Sequence, residues 1–186
     1  MLLPRKKRIW VPDSFYHVIS RGNRREFLFK DEYDYTIFLQ MLASINEKIP
    51  FELASYCLMT NHFHLQIRSQ NQPISKVMSL LNKRYADYYN TKNGITGHVF
   101  EKRFFAKIIY SQEDMLEVSR YIHLNPMEAG MVPRPESYAW SSYQFYLNSK
   151  DNYLLEVGTV LDCFSGSVKE KQWQYREFVE EKRDTD

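Results

Sequence analysis

The stretch Thr60–Ile67 reads TNHFHLQI and sets two histidines, His62 and His64, two residues apart inside an apolar segment. Side chains alternate faces along a strand. If the segment is extended, the two imidazoles point one way and Phe63 and Leu65 point the other. Two imidazoles on one face are a partial ligand set for a divalent cation. Further along, RYIHLNP carries Tyr121 and Asn125, four residues apart and on one face of a helix that runs through both. One offers a phenol, the other an amide oxygen. Two imidazoles and one amide oxygen fill about half of the octahedral shell that Mg²⁺ and Mn²⁺ prefer, leaving positions for a phosphate oxygen and waters. A phenol with its reference pKa of about 10 is a poor nucleophile at neutral pH, and a metal that makes phosphorus more electrophilic offsets this. Attack by Tyr121 would give a phosphotyrosine and release the other strand end. That is transesterification, so the bond energy is kept and the strand can be rejoined.

Each residue also has a plainer role open to it. Two histidines at i, i+2 serve in many strands as structural or edge residues. Tyr121 can be a packing residue of an amphipathic helix, and Asn125 before Pro126 is a natural helix terminator. No Asp or Glu lies close in sequence to the histidine pair, so a tetrahedral zinc set is poorly supplied. Gln66 falls on the same strand face and offers either an amide oxygen or a polar rim. His123 lies off the Tyr121–Asn125 face and stands outside the expected site.

The elements that must position these groups can be read from periodicity and turn chemistry. Ser14–Gly22 is a strand ending in the turn signal Arg21-Gly22-Asn23. Asp31–Ile49 opens with acids and repeats apolar residues at helical spacing. Phe51–Leu58 and His62–Arg68 are two strands joined by a short turn. Ile74–Asn90 is a second helix and Phe104–Tyr110 a fourth strand. Ser111 caps a helix over Gln112–Leu124, which Pro126 and Gly130 end. The order strand, helix, strand, strand, helix, strand, helix predicts an α+β fold. It is a ferredoxin-like split βαβ arrangement, an antiparallel sheet with helices on one face. Composition shifts after Pro133 and Pro135. Residues 1–132 form the expected main domain and residues 133–186 a C-terminal extension packed on it. The extension is expected to hold helices at Asn152–Phe164 and Ser167–Glu181.

A chain of 186 residues suits one domain with a sizeable core. Aromatics reach 16%, with 14 Tyr and 12 Phe, so both core and binding faces are expected to be aromatic-rich. A formal net charge of +2 is no argument for nucleic acid by itself. Distribution says more: Arg5–Arg8, then Arg21, Arg24 and Arg25, then Lys83 and Arg84, then Lys102, Arg103 and Lys107 form clusters around the candidate site. Two cysteines make no disulfide framework, and Cys57 in an apolar run is expected to be a buried thiol. No signal peptide or membrane-length apolar run is visible, so a cytoplasmic location is the expectation.

Five stretches together carry a family resemblance: YHVISRGNRR (Tyr16–Arg25), YCLMTNHFHLQI (Tyr56–Ile67), GHVFEKRFFA (Gly97–Ala106), RYIHLNPMEAGMV (Arg120–Val132) and YAWSSYQFY (Tyr138–Tyr146). The sequence resembles the single-tyrosine HUH transposases, most closely the REP-associated tyrosine transposases, over about residues 9–147. That resemblance implies the HUH nuclease fold and action on single-stranded DNA that folds into hairpins. By position it makes His62 and His64 the paired metal ligands, and Tyr121 the nucleophile that forms a 5′-phosphotyrosine and frees a 3′-OH. Asn125 takes the place of the polar third ligand; relatives with Gln there have one methylene more reach. Mg²⁺ or Mn²⁺ is the implied cofactor, and the protein is a monomer or a homodimer. Arg21, Arg24, Arg25, Lys83, Arg84 and Arg103 become candidate phosphate contacts. Phe100, Phe104 and Tyr85 are candidates for base stacking or for the core. A regulatory hairpin-binding protein without catalysis and a hydrolase of small phosphoesters are the competing functions.

Overall fold

A computed structural model describes residues 10–148 and 152–181. The Arg5–Arg8 cluster and Lys182–Asp186 lie outside the described residues. The elements follow the expected order: β1 (Phe15–Arg21), α1 (Glu32–Asn46), β2 (Glu52–Leu58), β3 (His62–Arg68), α2 (Ile74–Asn93), β4 (Phe105–Ile108) and α3 (Gln112–Glu128). Capping chemistry sets the helix starts. The Asp31 side chain accepts from the Asp34 N–H at 3.1 Å, and Ser111 accepts from the Asp114 N–H at 3.0 Å. Gly94, in the left-handed region at φ 62°, closes α2 three residues beyond the sequence expectation.

The sheet order is β2-β3-β1-β4, with every neighbouring pair antiparallel. β1 and β2 are therefore parallel to each other with β3 between them, which is the split βαβ arrangement. One face carries Val18, Leu58, Phe63, Leu65 and Ile67, packed with Phe38 and Leu42 of α1 and Val77, Leu81 and Tyr85 of α2 in one buried cluster. Full burial of each such side chain is worth roughly 1.5–3 kcal/mol. Asp34 ties these two helices together. Its carboxylate is fully buried and accepts from Tyr88 Oη and Lys92 Nζ, both at 2.7 Å.

The helix layer expected on one face is made by α1 and α2. α3 lies across the opposite face, over β2 and β3. The sequence already held the reason: that face of the strands is polar, with His64, Gln66 and Ser55, and α3 supplies matching polar groups. Ser55 reaches this face because a bulge between Leu53 and Ser55 shifts β2 by one residue and sets Ser55 opposite Gln66. Ser55 Oγ donates to Gln66 Oε1 at 2.8 Å and lies 2.8 Å from Ser119 Oγ of α3. Gln66 Nε2 donates to the Met115 carbonyl at 3.0 Å.

The sequence reading ended α3 at Pro126, yet the helix runs on to Glu128 with Pro126 inside it. Proline removes one N–H from the ladder, but Ala129 N–H still donates to Asn125 O and Met131 N–H to Pro126 O. The turn holding Asn125 therefore stays helical, on one face with Tyr121.

Beyond residue 132 come α4 (Tyr143–Leu147), α5 (Gly158–Leu161) and α6 (Val168–Glu181). α4 was not expected, and the first expected helix of the extension shrinks to the four residues of α5. This segment shields the outer edge of β2. Leu58 N–H donates to Trp140 O, Ser142 N–H to Tyr56 O and Glu156 N–H to Leu53 O. α6 then grips the back of α3. Tyr175 Oη lies 2.7 Å from both Ser119 Oγ and His123 Nδ1, and Arg120 donates to the Phe178 carbonyl at 3.1 Å.

Tyr175→Phe leaves two buried polar groups short of a partner and should lower unfolding stability by about 1–3 kcal/mol. Denaturant titration should show a lower midpoint with an unchanged slope.

Candidate active site

His62 and His64 stand on the α3 face of β3, with ring centroids 4.9 Å apart. Tyr121 comes from α3 of the same chain, its ring 5.5 Å from the His64 ring and edge-on to it. Its side chain is 38% exposed, enough to meet an incoming strand, while His64 is only 2% exposed. Asn125, one helical turn after Tyr121, lies near enough to the His62 imidazole to influence its protonation. The four residues expected to cooperate are thus brought together from β3 and α3.

The ring nitrogens are already sorted by their partners. His62 Nδ1 lies 2.7 Å from Asn61 Oδ1, and Asn61 Nδ2 donates to the Arg25 carbonyl at 3.3 Å. An amide oxygen only accepts, so His62 Nδ1 carries the proton and Nε2 keeps its lone pair. His64 Nδ1 lies 2.9 Å from Nε2 of a third histidine, His17 on β1. His64 Nε2 is buried and has no hydrogen-bond partner among the described residues. A buried imidazole nitrogen left in this way fits a cation. No group of three or more His, Cys, Asp or Glu side chains with metal-site geometry occurs among the described residues. A cation bound here would take its third protein ligand from the Asn125 amide. Gln66, the other amide on this strand face, is fully buried with both ends engaged and is no ligand.

Burial is the main cause that keeps these imidazoles neutral. It lowers His62 to about 4, helped by the Arg21 charge and opposed by the Asn125 side chain. It lowers His17 to about 4, with the Lys107 charge adding to the effect. His64 lies well below the ordinary histidine value, through burial and then through His17, His62 and Arg21. Neutral imidazoles are the form that binds metal.

The sequence pattern of the family described as "Transposase IS200 like" matches residues 11–125, more than half of the chain. The chain belongs to the IS200-like transposase family. Among solved structures it is similar to a REP-associated tyrosine transposase bound to a REP hairpin, with a TM-score of 0.66 and 16% identity. That match covers 83% of this chain and 98% of the other, and the two share a fold. A putative transposase from Deinococcus radiodurans R1 also matches, at a TM-score of 0.45 and 18% identity over 64% of this chain and 95% of that one. The comparison with curated proteins gives no match.

In this chain the basic residues divide. Arg21 and Arg103 line one cleft of about 220 Å³ together with Ile19, Ser20, Lys102 and Phe105, and Glu101 is its single carboxylate. Arg21 pairs across the strands with His62 and so stands at the site. Arg24 and Arg25 are exposed in the turn after β1, both at positive φ (52° and 62°). Gly22 makes that turn possible: a Cβ there would meet the Glu26 carbonyl oxygen at 2.3 Å. Lys83 and Arg84 ride α2, on the opposite side of the sheet from Tyr121, and Lys83 pairs with Asp87 at 3.2 Å. The aromatics proposed for stacking are absorbed by the core. Tyr85 and Phe104 are buried, and Phe100 packs against the same cluster. Phe105, 55% exposed in the cleft, takes their place as the candidate platform.

Two residues at the site escaped the sequence reading, His17 and Asn61. Both lay inside stretches already assigned to a strand and a turn. His17 has the right phase on β1, but the β1–β3 register that sets it beside His64 is a property of the fold. Among the described residues no helix is long and apolar enough to cross a membrane.

Acid should unfold this protein early. An unfolded histidine binds its proton near pH 6.5, whereas folded His17 and His62 resist it down to about 4 and fully buried His123 to about 3. Stability is therefore full above pH 6.5 and falls as pH drops toward these folded values. Melting in EDTA buffers from pH 8 to pH 4 should show a steep loss below 6.5, and a flat profile would refute the buried-neutral assignment.

Proposed function

We propose that this protein is a metal-dependent transposase-type nuclease that cleaves and rejoins hairpin-containing single-stranded DNA through Tyr121. The observation that carries the reading is the meeting, within one chain, of the Tyr121 ring with the His64 ring, beside which the His62 ring stands. His62 Nε2, His64 Nε2 and the Asn125 amide oxygen would hold Mg²⁺ or Mn²⁺, whose charge polarises the scissile phosphate and stabilises its transition state. Tyr121 Oη forms the new bond to phosphorus as the P–O3′ bond breaks. The products are a 5′-phosphotyrosine and a free 3′-OH, and the reverse attack reseals the strand. A likeness to a transposase bound to a REP hairpin supports hairpin DNA as substrate.

Residues 1–132 form the catalytic domain in this reading, and the extension over 133–186 braces α3 from behind. That brace favours action in cis. Ser119, Arg120 and His123, which flank the nucleophile, are all held by α6 of the same chain. Arg21, Arg103, Arg24 and Arg25 carry phosphate near the site, while Lys83 and Arg84 meet the hairpin stem on the far side of the sheet. Replacing Arg21 with Ala should weaken hairpin binding and reduce its salt slope by about 1.

The deciding experiment incubates the protein with a labelled hairpin oligonucleotide from DNA flanking its own gene, with Mn²⁺. A covalent adduct on Tyr121 is expected, lost in Tyr121→Phe and in His64→Ala. Binding without adduct would favour a regulatory hairpin binder, and turnover without adduct a hydrolase. Mixing Tyr121→Phe with His64→Ala should restore no cleavage, because each site is built from one chain. Restored cleavage would mean that α3 is exchanged between partners.

A further inference from the structure

We infer that His17 is a positioning residue that holds His64 with its proton on Nδ1, so that the Nε2 lone pair faces the metal position. The inference rests on the metal centre proposed above. His17 Nε2 and His64 Nδ1 are 2.9 Å apart, so one proton lies between two nitrogens. If His64 Nδ1 donates to His17 Nε2, the neutral His64 ring has a bare Nε2. If His17 donates instead, His64 must carry its proton on Nε2, and the ring is a donor that cannot bind a cation. The two arrangements share one geometry and have opposite consequences.

The surroundings favour the first. His64 Nε2 is buried with no acceptor among the described residues, so an N–H there has nothing to donate to. Asn61 keeps the His62 proton on Nδ1, and the same tautomer in His64 makes the two rings alike. His17 must then be neutral, with its own proton on Nδ1. Lys107 is paired with it directly across the strands on β4. The other strand partner of His17 is Gln66, whose amide is spent on Ser55 and Met115. The two rings are nearly coplanar, 25° apart with centroids at 5.2 Å, as an in-plane N–H···N bond requires, and His17 meets the Tyr121 ring edge-on at 5.7 Å. It therefore fixes the plane of His64 as well as its proton. It holds neither metal nor reacting atoms. Metal-bound histidines generally hand their second N–H to an acceptor in this way, and loss of the acceptor weakens metal binding.

The test has two arms, neither of which needs DNA. In the metal-free protein at pH 8, long-range ¹⁵N–¹H correlation should show His64 with a protonated Nδ1 and a bare Nε2. The reverse pattern overturns the inference. In the second arm, Mn²⁺ affinity is measured by calorimetry. His17→Phe keeps a ring against Tyr121 but offers no acceptor, and should weaken binding about 10–100-fold. His17→Gln places an amide oxygen near the former Nε2 and should recover most of the loss. Melting in EDTA checks that both variants are folded. If His17→Phe does not fold, His17→Gln and the wild-type spectrum still decide. Equal Mn²⁺ affinity in His17→Phe and wild type refutes the role. His17-dependent Mn²⁺ binding without a DNA adduct would sink the proposed transesterase and leave this inference standing. Cleavage with an affinity indifferent to position 17 would do the opposite.

Discussion

α3 is fastened to the sheet by directional polar contacts, and the position of Tyr121 depends on them. Apolar side chains would let a helix shift along a strand face at small cost, since one hydrophobic contact replaces another. Each residue of slip moves a helical side chain by about 1.5 Å and swings it by about 100°. Such a slip would take the phenol away from the imidazoles. Ser55 to Ser119, Gln66 to the Met115 carbonyl, and His123 to Tyr175 and Ser142 are satisfied in one register only. Every displaced alternative leaves buried polar groups unpaired, and that penalty is what specifies the register. The bulge in β2 belongs to the same device, because it turns Ser55 toward α3.

The polarity of this face has a second effect, on the charge state of the site. Four histidines lie in or near it, and all four are held neutral by burial. Arg21 and Lys107 push the same way on the three nearest Tyr121, because a positive charge disfavours a second one. These cations also point a positive field at whatever approaches Tyr121. In the proposed reaction a single pair of basic residues would draw phosphate to the site and hold the imidazoles in the neutral form a metal needs. Arg21 would do the first from the cleft and the second from its place opposite His62.

Much of this was written locally in the sequence. The seven core elements follow from apolar period, capping acids and turn signals, each a property of a few adjacent residues. The His62/His64 pair and the Tyr121/Asn125 spacing are local in the same sense. What was hidden depends on register and packing. His17 becomes a partner of His64 only when β1 lies beside β3 in one alignment. The face chosen by α3 depended on reading Ser55, Gln66 and His64 as a polar surface that needs polar cover. Pro126 looked like a helix end because a proline weakens the ladder, yet later carbonyl acceptors carry the helix past it. The task of His123, clamping α6 and the Ser142 segment to α3, is made of contacts 19 and 52 residues away.

The extension ties the edge of β2 to the back of α3. β2 is an edge strand, and an open edge invites pairing with another molecule. Trp140, Ser142 and Glu156 occupy that edge, so β2 has no free ladder to offer. The same segment continues into α6, which holds Ser119, Arg120 and His123 on the back of α3. Releasing α3 toward a partner would break the Tyr175 and Arg120 contacts and expose His123, which is fully buried and neutral. Edge protection and placement of Tyr121 are therefore one structural act. The short strand β4 lies at the opposite edge, with Phe105 exposed and Lys107 facing the site.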